Sequence, residues 1–451
     1  MKSDIIIIGA GPGGYETALE ASKRGKSVVL FNGGKLGGTC LNEGCIPTKC
    51  LCRDADIAGL LANREELCLD NLSYEIDFNK IIARKEQVVN TLRSGVETLL
   101  KQAKVNVINS KACFKDEKTV LADGEEYTAD HIIIATGSEP RSLPIPGHDL
   151  ECVMDSTALL NIEYIPARLT IIGGGVIGME FASIFSQLGS QVTVIEFMKQ
   201  ILPPFDSDIA KRLKQSLSKK GVNIITGAAA KEIRQNEFYE IEVTYEVKGK
   251  LEKVVSSDLL MAVGRSPRVK DLGLENAGVN FTEKGIIVDD DMRTNVPGIF
   301  AIGDVNAKMM LAHVASKQGE RVLNVIDSEK DHIRFDLIPS AVFTVPQCGM
   351  VGKTEEECKS QGIEIMCGTG FYRANGKALA LNEAEGLCKL IFDKSSRKLI
   401  GAHIMGAQAA DLAQQCCDLM NMDATLESMK SIVFGHPTLS EVIMSALHAV
   451  K

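Results

Sequence analysis

The fold can be argued from residues 5–32, which read IIIIGAGPGGYETALEASKRGKSVVLFN. A short apolar run leads into G-x-G-x-x-G, and residues with helical periodicity then lead into a second apolar run. In this context Gly9 makes a tight turn, Gly11 lets the backbone approach a pyrophosphate, and Gly14 allows close helix–strand packing. The stretch therefore predicts a β–α–β unit whose helix N-terminus binds a dinucleotide.

A second copy of the pattern begins at Leu169 and reads LTIIGGGVIGMEFASIFSQLGSQVTVIE. Its glycines Gly173, Gly175 and Gly178 follow their counterparts at a constant offset of 164 residues, 173 against 9. Either copy alone could be a glycine-rich turn that binds nothing, but the duplication is a strong organising signal. The predicted fold class is α/β, with two duplicated Rossmann-like dinucleotide-binding domains.

The two copies differ at the end of the second strand. Glu196 can accept hydrogen bonds from an adenosine ribose and repel a 2′-phosphate, which favours NAD over NADP at the second site. Asn32 stands at the matching position of the first copy and can bind a ribose hydroxyl without charge assistance. A cysteine pair follows the first copy, and a redox disulfide must lie against a flavin. The first unit is therefore predicted to bind FAD.

Three further segments fit this arrangement. Ala135-Thr136-Gly137 and Val263-Gly264-Arg265 each follow an apolar strand and look like chain returns between nucleotide domains. Phe300–Asp304 reads as a strand that ends in Gly303-Asp304, whose carboxylate could hold flavin ribityl hydroxyls or could mark a plain turn.

Composition limits the possible classes of protein. The chain has 451 residues, enough for several domains, and a net charge of −9, which argues against a nucleic-acid surface. It shows neither an apolar run of about 20 residues nor a recognisable signal peptide. Its 13 cysteines are irregularly spaced, so we expect a reducing, cytoplasmic setting. Adjacent Cys416 and Cys417 lie in an amphipathic stretch and are expected to be packing residues.

Cys40 and Cys45 stand five residues apart in GGTCLNEGCIP. A metal site would need a second ligand pair in a partner position, and a staple closing so short a loop would remove little chain entropy. Residues five apart on an ideal helix have Cα atoms roughly 8.6 Å apart, whereas a disulfide needs about 7 Å or less. If the two cysteines are bonded, the helix must be distorted, and Gly44 supplies the freedom for that.

A histidine lies near the C-terminus in Gly435-His436-Pro437-Thr438-Leu439-Ser440-Glu441. Pro437 can open a helix, and Thr438-x-x-Glu441 matches a capping box, so Glu441 could simply cap that helix. Alternatively, Glu441 could orient His436 as the base that draws protons from dithiol substrates near neutral pH.

Taken in order, these motifs resemble the flavin-dependent pyridine nucleotide–disulfide oxidoreductases over essentially the whole chain. GGTCLNEGCIPTK is close to the family's GGTCLNxGCIPSK, and ATG, GGGVIGME, VGRSP, FAIGD, MLAH and HPTLSE follow in family order. The resemblance implies that Cys40 attacks substrate, Cys45 faces the flavin as a charge-transfer thiolate, His436 is the acid/base and Glu441 orients it. In this family the histidine and glutamate come from the other subunit, which implies a homodimer.

The resemblance also marks cofactor-binding positions, with Lys49 beside the flavin ring and Glu180 as its ion-pair partner. The positions expected to bind FAD are Gly9, Gly11, Gly14, Asn32, Gly38, Thr39, Lys49, Ala112, Thr136, Gly137, Gly303, Asp304, Met310, Leu311, Ala312 and His313. The positions expected to serve the NAD site are Gly173, Gly175, Gly178, Glu180, Glu196, Ala230 and Gly264. No metal is expected.

Three positions depart from the family pattern. Asn32 replaces the usual ribose glutamate, which puts FAD affinity in question. Phe434 occupies the place of a common first histidine in H-x-H-P. Glu43 stands between the cysteines where a small or apolar residue is commoner, and it could raise the pKa of a neighbouring thiolate or simply face solvent.

These inferences divide the chain into an FAD domain (1–145), an NAD domain (146–265), a central segment completing the flavin site (266–336) and an α+β dimerisation domain (337–451). Strands are expected at 340–348 and 389–392. The resemblance implies oxidation of dihydrolipoamide by NAD⁺ through a Cys40–Cys45 disulfide and FAD. The substrate would be carried on a lipoylated acyltransferase or a glycine-cleavage carrier protein, without nucleic acid or membrane. Another disulfide or metal-ion reductase, or a non-catalytic scaffold subunit, are the alternatives.

Overall fold

The computed structural model describes residues 2–62 and 67–451, which form two compact units. Unit 1 comprises Met1–Cys50, Asn79–Arg141 and Gly264–Ile333. Unit 2 comprises Leu51–Phe78, Ser142–Val263 and Arg334–Lys451. The chain passes between the units at 141–142 and 263–264, a few residues from two of the expected domain borders. The division into four functional regions stays a prediction.

The α-helices are α1 (Pro12–Lys23), α2 (Gly38–Glu43), α3 (Cys45–Ala62), α4 (Phe78–Gln102), α5 (Ser156–Leu159), α6 (Val176–Gln187), α7 (Ser207–Lys219), α8 (Ala312–Ile326), α9 (Glu355–Ser360), α10 (Gly376–Ala380), α11 (Ala409–Asn421), α12 (Leu426–Lys430) and α13 (Glu441–His448). Short 3₁₀ helices cover Gly303–Asn306 and Tyr372–Ala374. Within the described ranges, no helix is long and apolar enough to cross a membrane.

The strands of unit 1 are β1 (Lys2–Ile8), β2 (Val28–Phe31), β3 (Asn106–Ile108), β4 (Cys113–Phe114), β5 (Thr119–Ala122), β6 (Glu125–Ile134), β7 (Ser138–Pro140), β16 (Arg265–Pro267), β17 (Phe281–Thr282), β18 (Gly285–Ile286) and β19 (Ile299–Ala301). The strands of unit 2 are β8 (Val153–Met154), β9 (Arg168–Ile172), β10 (Gln191–Glu196), β11 (Asn223–Thr226), β12 (Ala228–Gln235), β13 (Ile241–Val247), β14 (Lys250–Ser256), β15 (Asp258–Met261), β20 (Ser340–Val342), β21 (Cys348–Gly352), β22 (Ile365–Phe371), β23 (Leu387–Asp393) and β24 (Leu399–Met405).

The main sheet of unit 1 has the order β3-β2-β1-β6-β5-β4, and β19 also pairs with β6. The central β1 is parallel to both β2 and β6, and its four consecutive isoleucines are buried. Such a continuous apolar run is typical of a parallel strand that is covered on both faces. Helices α1 and α8 pack closely, since a Cβ on Gly13 would lie 3.1 Å from Ala315 Cβ.

Unit 2 contains a parallel sheet of order β11-β10-β9-β15-β8 and an antiparallel sheet β12-β13-β14. A third, antiparallel sheet has the order β20-β21-β24-β23-β22. Helices α11 and α13 pack on this third sheet, and Cys416 and Cys417 are buried in its core. Burial raises the pKa of Cys416 to about 12, so this thiol is unreactive at neutral pH. The packing role predicted for the pair is confirmed.

The predicted duplication is confirmed in the backbone. Gly9 and Gly173 have φ values of 112° and 114°, and Gly11 and Gly175 cap their helices at φ −73° and −75°. Both copies therefore make the same strand–turn–helix connection.

Two local predictions are wrong. The strand expected over 340–348 is two strands, because Pro346 lies between the end of β20 at Val342 and the start of β21 at Cys348. Pro cannot donate to a sheet ladder, so it separates them. The helix expected to open at Pro437 begins instead at Glu441. The strand expected at 389–392 lies inside β23 and is confirmed.

Candidate active site

At two glycines, the turn between β1 and α1 leaves no room for a side chain. A Cβ on Gly14 would lie 1.8 Å from Gly9 O, and a Cβ on Gly9 would lie 2.2 Å from Ala135 O. The first-turn N–H groups of α1 have no capping side chain, because Gly11 is the N-cap residue. A shallow, side-chain-free cradle at a helix N-terminus fits the pyrophosphate of the predicted FAD.

The cysteine motif begins directly against this turn. A Cβ on Gly38 would lie 2.6 Å from the Cα of Gly11, so the two backbones touch. Gly38 is the first residue of α2, and its neighbour Thr39 lies one residue before Cys40. The helix that carries Cys40 therefore starts at the nucleotide cradle.

The two cysteines lie on either side of a break between helices. Helix α2 ends at Glu43, Gly44 leaves the helical region with φ −150° and ψ −106°, and α3 starts at Cys45. The helix is therefore interrupted at Gly44, the residue expected to allow a distortion. Both cysteines are thiols in this structure, and the Cys40 side chain hydrogen-bonds with Cys45. That bond first, and burial second, raise the pKa of Cys40 well above its ordinary value, while Lys49 acts in the opposite direction.

Polar contacts missed by the sequence reasoning hold the motif in place. The Asn42 amide donates to Leu36 O and Gly38 O at 2.9 and 2.8 Å, and its oxygen accepts Arg93 Nε at 2.9 Å. Arg93 lies on α4, far along the chain, so no local pattern marks it. Glu43, whose role the sequence left open, is 3.4 Å from Lys35 Nζ. Its carboxylate is thus paired.

Asn32 is held by a second asparagine. Its amide nitrogen donates to Asn109 Oδ1 at 2.9 Å, and the Asn32 side chain is buried. This bond leaves the Asn32 oxygen as the acceptor for a ribose hydroxyl. Asn109 follows β3, and nothing in the sequence pairs it with Asn32.

Asp304 belongs to a polar chain on the same unit. Ser138 Oγ donates to Asp304 Oδ2 at 2.5 Å and accepts Arg265 Nε at 2.7 Å. Gly303 N donates to Gln318 Oε1 at 2.7 Å, which fixes the turn after β19. Ser138 and Gln318 were not among the predicted residues, although Ser138 directly follows the predicted ATG segment.

The remaining predicted FAD positions are distributed through unit 1. Thr136 Oγ1 donates to Arg268 O at 2.8 Å, and Gly137 O accepts Arg268 N at 2.9 Å. Met310 and Leu311 precede α8, which starts with Ala312 and His313. Ala112 is a core residue, so only its backbone could meet a cofactor. Lys49 lies on α3.

The second glycine turn, in unit 2, repeats the first cradle. A Cβ on Gly178 would lie 2.0 Å from Gly173 O, and Gly175 caps α6 without a side chain. The buried Glu196 carboxylate accepts Gly174 N and Met198 N, both at 2.5 Å. Each oxygen keeps acceptor capacity for a ribose hydroxyl. The arrangement fits the predicted NAD.

Three further positions predicted for the NAD site lie outside the second glycine turn. Ala230 is in β12 with its side chain in the core, and Gly264, at φ 105°, opens a segment of unit 1. The buried Glu180 lies on α6 in unit 2, and its Oε1 accepts Phe343 N at 2.9 Å. Lys49 belongs to unit 1. The pairing of Lys49 with Glu180 stays a prediction.

His436 and Glu441 are brought together in unit 2. His436 Nδ1 is 3.0 Å from Glu441 Oε1, and Thr438 N donates to Glu441 Oε2 at 2.9 Å. The Thr438 N–H first, and His436 second, lower the pKa of Glu441. A carboxylate on Nδ1 favours the tautomer whose Nε2 can accept a proton. The Thr438 hydroxyl donates to Gly435 O, so no reciprocal capping box forms.

Comparisons with known proteins agree with this geometry. Residues 3–319 match the family model of pyridine nucleotide-disulphide oxidoreductases, and residues 338–447 match the dimerisation domain of that family. Dihydrolipoyl dehydrogenase from Thermus scotoductus is 40% identical, over 99% of this chain and 97% of that protein. Dihydrolipoyl dehydrogenase from Geobacillus stearothermophilus is 38% identical, over 99% and 96%. The HOCl-induced flavoprotein disulfide reductase RclA from Escherichia coli matches with a TM-score of 0.89 and 31% identity, over 99% of this chain and 100% of that chain.

Proposed function

Because the chain belongs to the pyridine nucleotide-disulphide oxidoreductase family, we propose that it oxidises dihydrolipoamide with NAD⁺. Its cofactors are FAD and NAD. The proposal rests on the contact between Gly38 and Gly11. This contact places the start of α2, the helix that carries Cys40, against the glycine turn of the predicted FAD site. A scaffold subunit would have no use for that contact.

The chemistry of the thiols follows from their environment. Bound FAD supplies two-electron transfer between the dithiol and the pyridine nucleotide. One thiolate of dihydrolipoamide attacks Cys40 Sγ of the disulfide, which breaks the S–S bond and leaves Cys45 as a thiolate. The second substrate thiol then displaces Cys40, giving lipoamide and a Cys40–Cys45 dithiol. Because its hydrogen bond with Cys45 and its burial raise the pKa of Cys40, we assign the charge of the reduced pair to Cys45.

His436 removes the protons in this scheme. With Nδ1 held by Glu441, its Nε2 accepts the proton of the first substrate thiol and releases it to solvent, and it then accepts the proton of the second thiol and returns it to the departing Cys40. We place this pair at the disulfide of the partner subunit, as the family resemblance implies, so that the active enzyme is a homodimer. The match of residues 338–447 to the family's dimerisation domain supports that assembly.

The substrate and setting follow from the same proposal. The substrate is a lipoyl group on an acyltransferase or on a glycine-cleavage carrier protein, and the enzyme works in the cytoplasm. Glu196 selects NAD at the second cradle because its carboxylate repels a 2′-phosphate.

Replacing the flavin-side sulfur tests the proposal. Cys45→Ser should lower dihydrolipoamide-dependent NADH formation by at least about 10³-fold, because the electron path through the dithiol is lost. It should also remove the long-wavelength absorbance that the Cys45 thiolate gives the reduced holoenzyme. The exposed Cys68 provides a matched control, and Cys68→Ser should keep both signals. Normal turnover by Cys45→Ser would contradict the proposed mechanism.

A further inference from the structure

The segment Phe197–Asp206, which we call the strap, connects Glu196 to α7 and contacts Gly174 of the second cradle. Glu196, which precedes the strap, accepts Gly174 N at 2.5 Å. Leu202, in its middle, donates its N–H to Gly174 O at 2.8 Å. Gly174 lies between Gly173 and Gly175, the first two glycines of the nucleotide motif. Both polar groups of the Gly174 residue are therefore held by the strap or by the residue that precedes it.

Leu202 holds this contact in an unfavourable backbone conformation. Its φ is 47°, in the left-handed region that residues other than glycine, asparagine and aspartate rarely adopt. The side chain is fully buried, and Leu202 O accepts Phe205 N at 2.9 Å. Pro203 and Pro204 follow directly and restrict the chain further. A conformation of this kind persists only where the surroundings over-determine it.

The far end of the strap is anchored by a buried lysine from the C-terminal sheet. Lys389 Nζ on β23 lies 3.0 Å from both carboxylate oxygens of Asp206, which is fully buried. It also lies 2.9 Å from Asp208 Oδ2 and 2.6 Å from Glu355 Oε2. Asp206 in turn accepts Asp208 N at 3.1 Å and so caps α7.

Lys389 remains charged at neutral pH. Burial alone would lower the pKa of Lys389, but bonds from Glu355, Asp208 and Asp206 raise it above its ordinary value. A buried charge that loses its partner is strongly unfavourable, so Asp206 cannot move away from Lys389 cheaply. The ion pair therefore restrains the end of the strap.

We propose that Lys389 is a positioning residue for NAD, which fixes the Gly174 turn through Asp206 and the strap. This inference rests on the proposed function, since it assigns the second cradle to NAD. It makes the C-terminal sheet part of the machinery that sets nucleotide affinity, although Lys389 itself touches no cofactor. Loosening the anchor should let Leu202 relax and the Gly174 peptide shift.

Titration of the FAD-loaded, full-length dimer with NAD⁺ by calorimetry tests this role. Lys389→Met should raise the Kd for NAD⁺ about tenfold, within the usual range of coupling between sites. The KM for NAD⁺ should rise in parallel, whereas the KM for dihydrolipoamide should stay within about twofold of wild type. Lys394→Met is a matched control, because Lys394 follows the same strand and forms an exposed pair with Glu364 at 3.0 Å. It should bind NAD⁺ like wild type.

Asp206→Asn is a second variant, for the case that Lys389→Met does not fold. It is expected to fold because asparagine can still cap α7 and has nearly the same volume as aspartate. It should raise the Kd for NAD⁺ in the same direction, by about threefold. Folded variants that lose thermal stability but bind NAD⁺ as tightly as wild type would overturn the positioning role and leave the proposed function intact. A wild-type protein that binds no NAD⁺ would overturn both.

Discussion

The carboxylate of Glu196 has two roles. It accepts the backbone N–H groups of Gly174 and Met198, and in the proposed NAD site it would present negative charge to an adenosine ribose. The sequence motif predicted only the second role. The first means that a change at this position alters the shape of the cradle as well as its charge.

At the scale of this residue, coenzyme preference is the measurable consequence. Placing a 2′-phosphate against a carboxylate costs several kcal/mol, so kcat/KM should favour NAD⁺ over NADP⁺ by about a hundredfold or more. Glu196→Gln keeps the side-chain volume and one of the two acceptors, and it should reduce that preference about tenfold. Glu364→Gln, at an exposed glutamate of the same unit, should leave it unchanged. Equal kcat/KM values for the two coenzymes in the wild type would contradict this assignment.

Candidate site residues could be proposed from the sequence because they stand in short motifs. Cys40, Cys45, His436 and Glu441 each stand in a local pattern whose chemistry can be argued. Their supporting partners could not be predicted, because the fold supplies them from far along the chain. Asn109 is 77 residues from Asn32, and Asp304 is 166 residues from Ser138.

At the scale of elements, helix α8 is tied to the segment that follows it by one acidic residue. Asp331 Oδ2 accepts Arg321 Nε at 2.7 Å and Asn324 Nδ2 at 3.1 Å, and its Oδ1 accepts Ile333 N at 3.0 Å. Burial acts to raise the pKa of Asp331, but these hydrogen bonds lower it to about 2. The ionised form is thus favoured by folding.

The sign of the resulting pH dependence follows from linkage. A carboxyl whose folded pKa lies below its unfolded value stabilises the fold above the unfolded pKa and loses that effect as pH falls through the folded pKa. Asp331→Asn should lower the free energy of unfolding by about 2 kcal/mol at pH 7. The difference from wild type should shrink as pH falls from 3.8 to about 2. Chemical denaturation across pH measures it, and Asp149→Asn, at an exposed aspartate, is the control. A gap that widens in acid would refute the assignment.

Elements were predictable where a pattern repeats and failed where one residue overrides it. The 164-residue repeat yielded both β–α–β units, because glycine spacing and apolar runs are local signals. Pro346 divides the apolar stretch 340–348 into two strands, and Thr438 turns its hydroxyl to Gly435 O, so α13 starts at Glu441. Neither the division of the strand nor the start of α13 can be predicted from periodicity alone.

At the scale of the whole molecule, the proposed dimer places each histidine at the partner subunit's disulfide. Two inactive variants, Cys45→Ser and His436→Gln, should then complement each other. A heterodimer purified through two different tags has one intact site of two, so it should recover about half of the wild-type turnover. A heterodimer no more active than its parents would show that His436 acts within its own chain.

Contacts between residues far apart in the chain are the hardest features to predict from the sequence. Lys389 and Asp206 are 183 residues apart and lie in stretches that carry no nucleotide or cysteine motif. Their pairing depends on how the parallel sheet and the C-terminal sheet of unit 2 pack together. The anchor of the strap therefore emerges only from the folded chain.

In the proposed mechanism, electrons pass from the substrate dithiol through Cys40, Cys45 and the flavin to NAD⁺. Steady-state formation of NADH by the purified FAD-loaded protein with dihydrolipoamide tests it most directly, beside NADPH-dependent reduction of glutathione disulfide as the competing activity. We expect rapid NADH formation with dihydrolipoamide and negligible reduction of glutathione disulfide. No NADH formation from dihydrolipoamide, or faster turnover with glutathione disulfide, would contradict it.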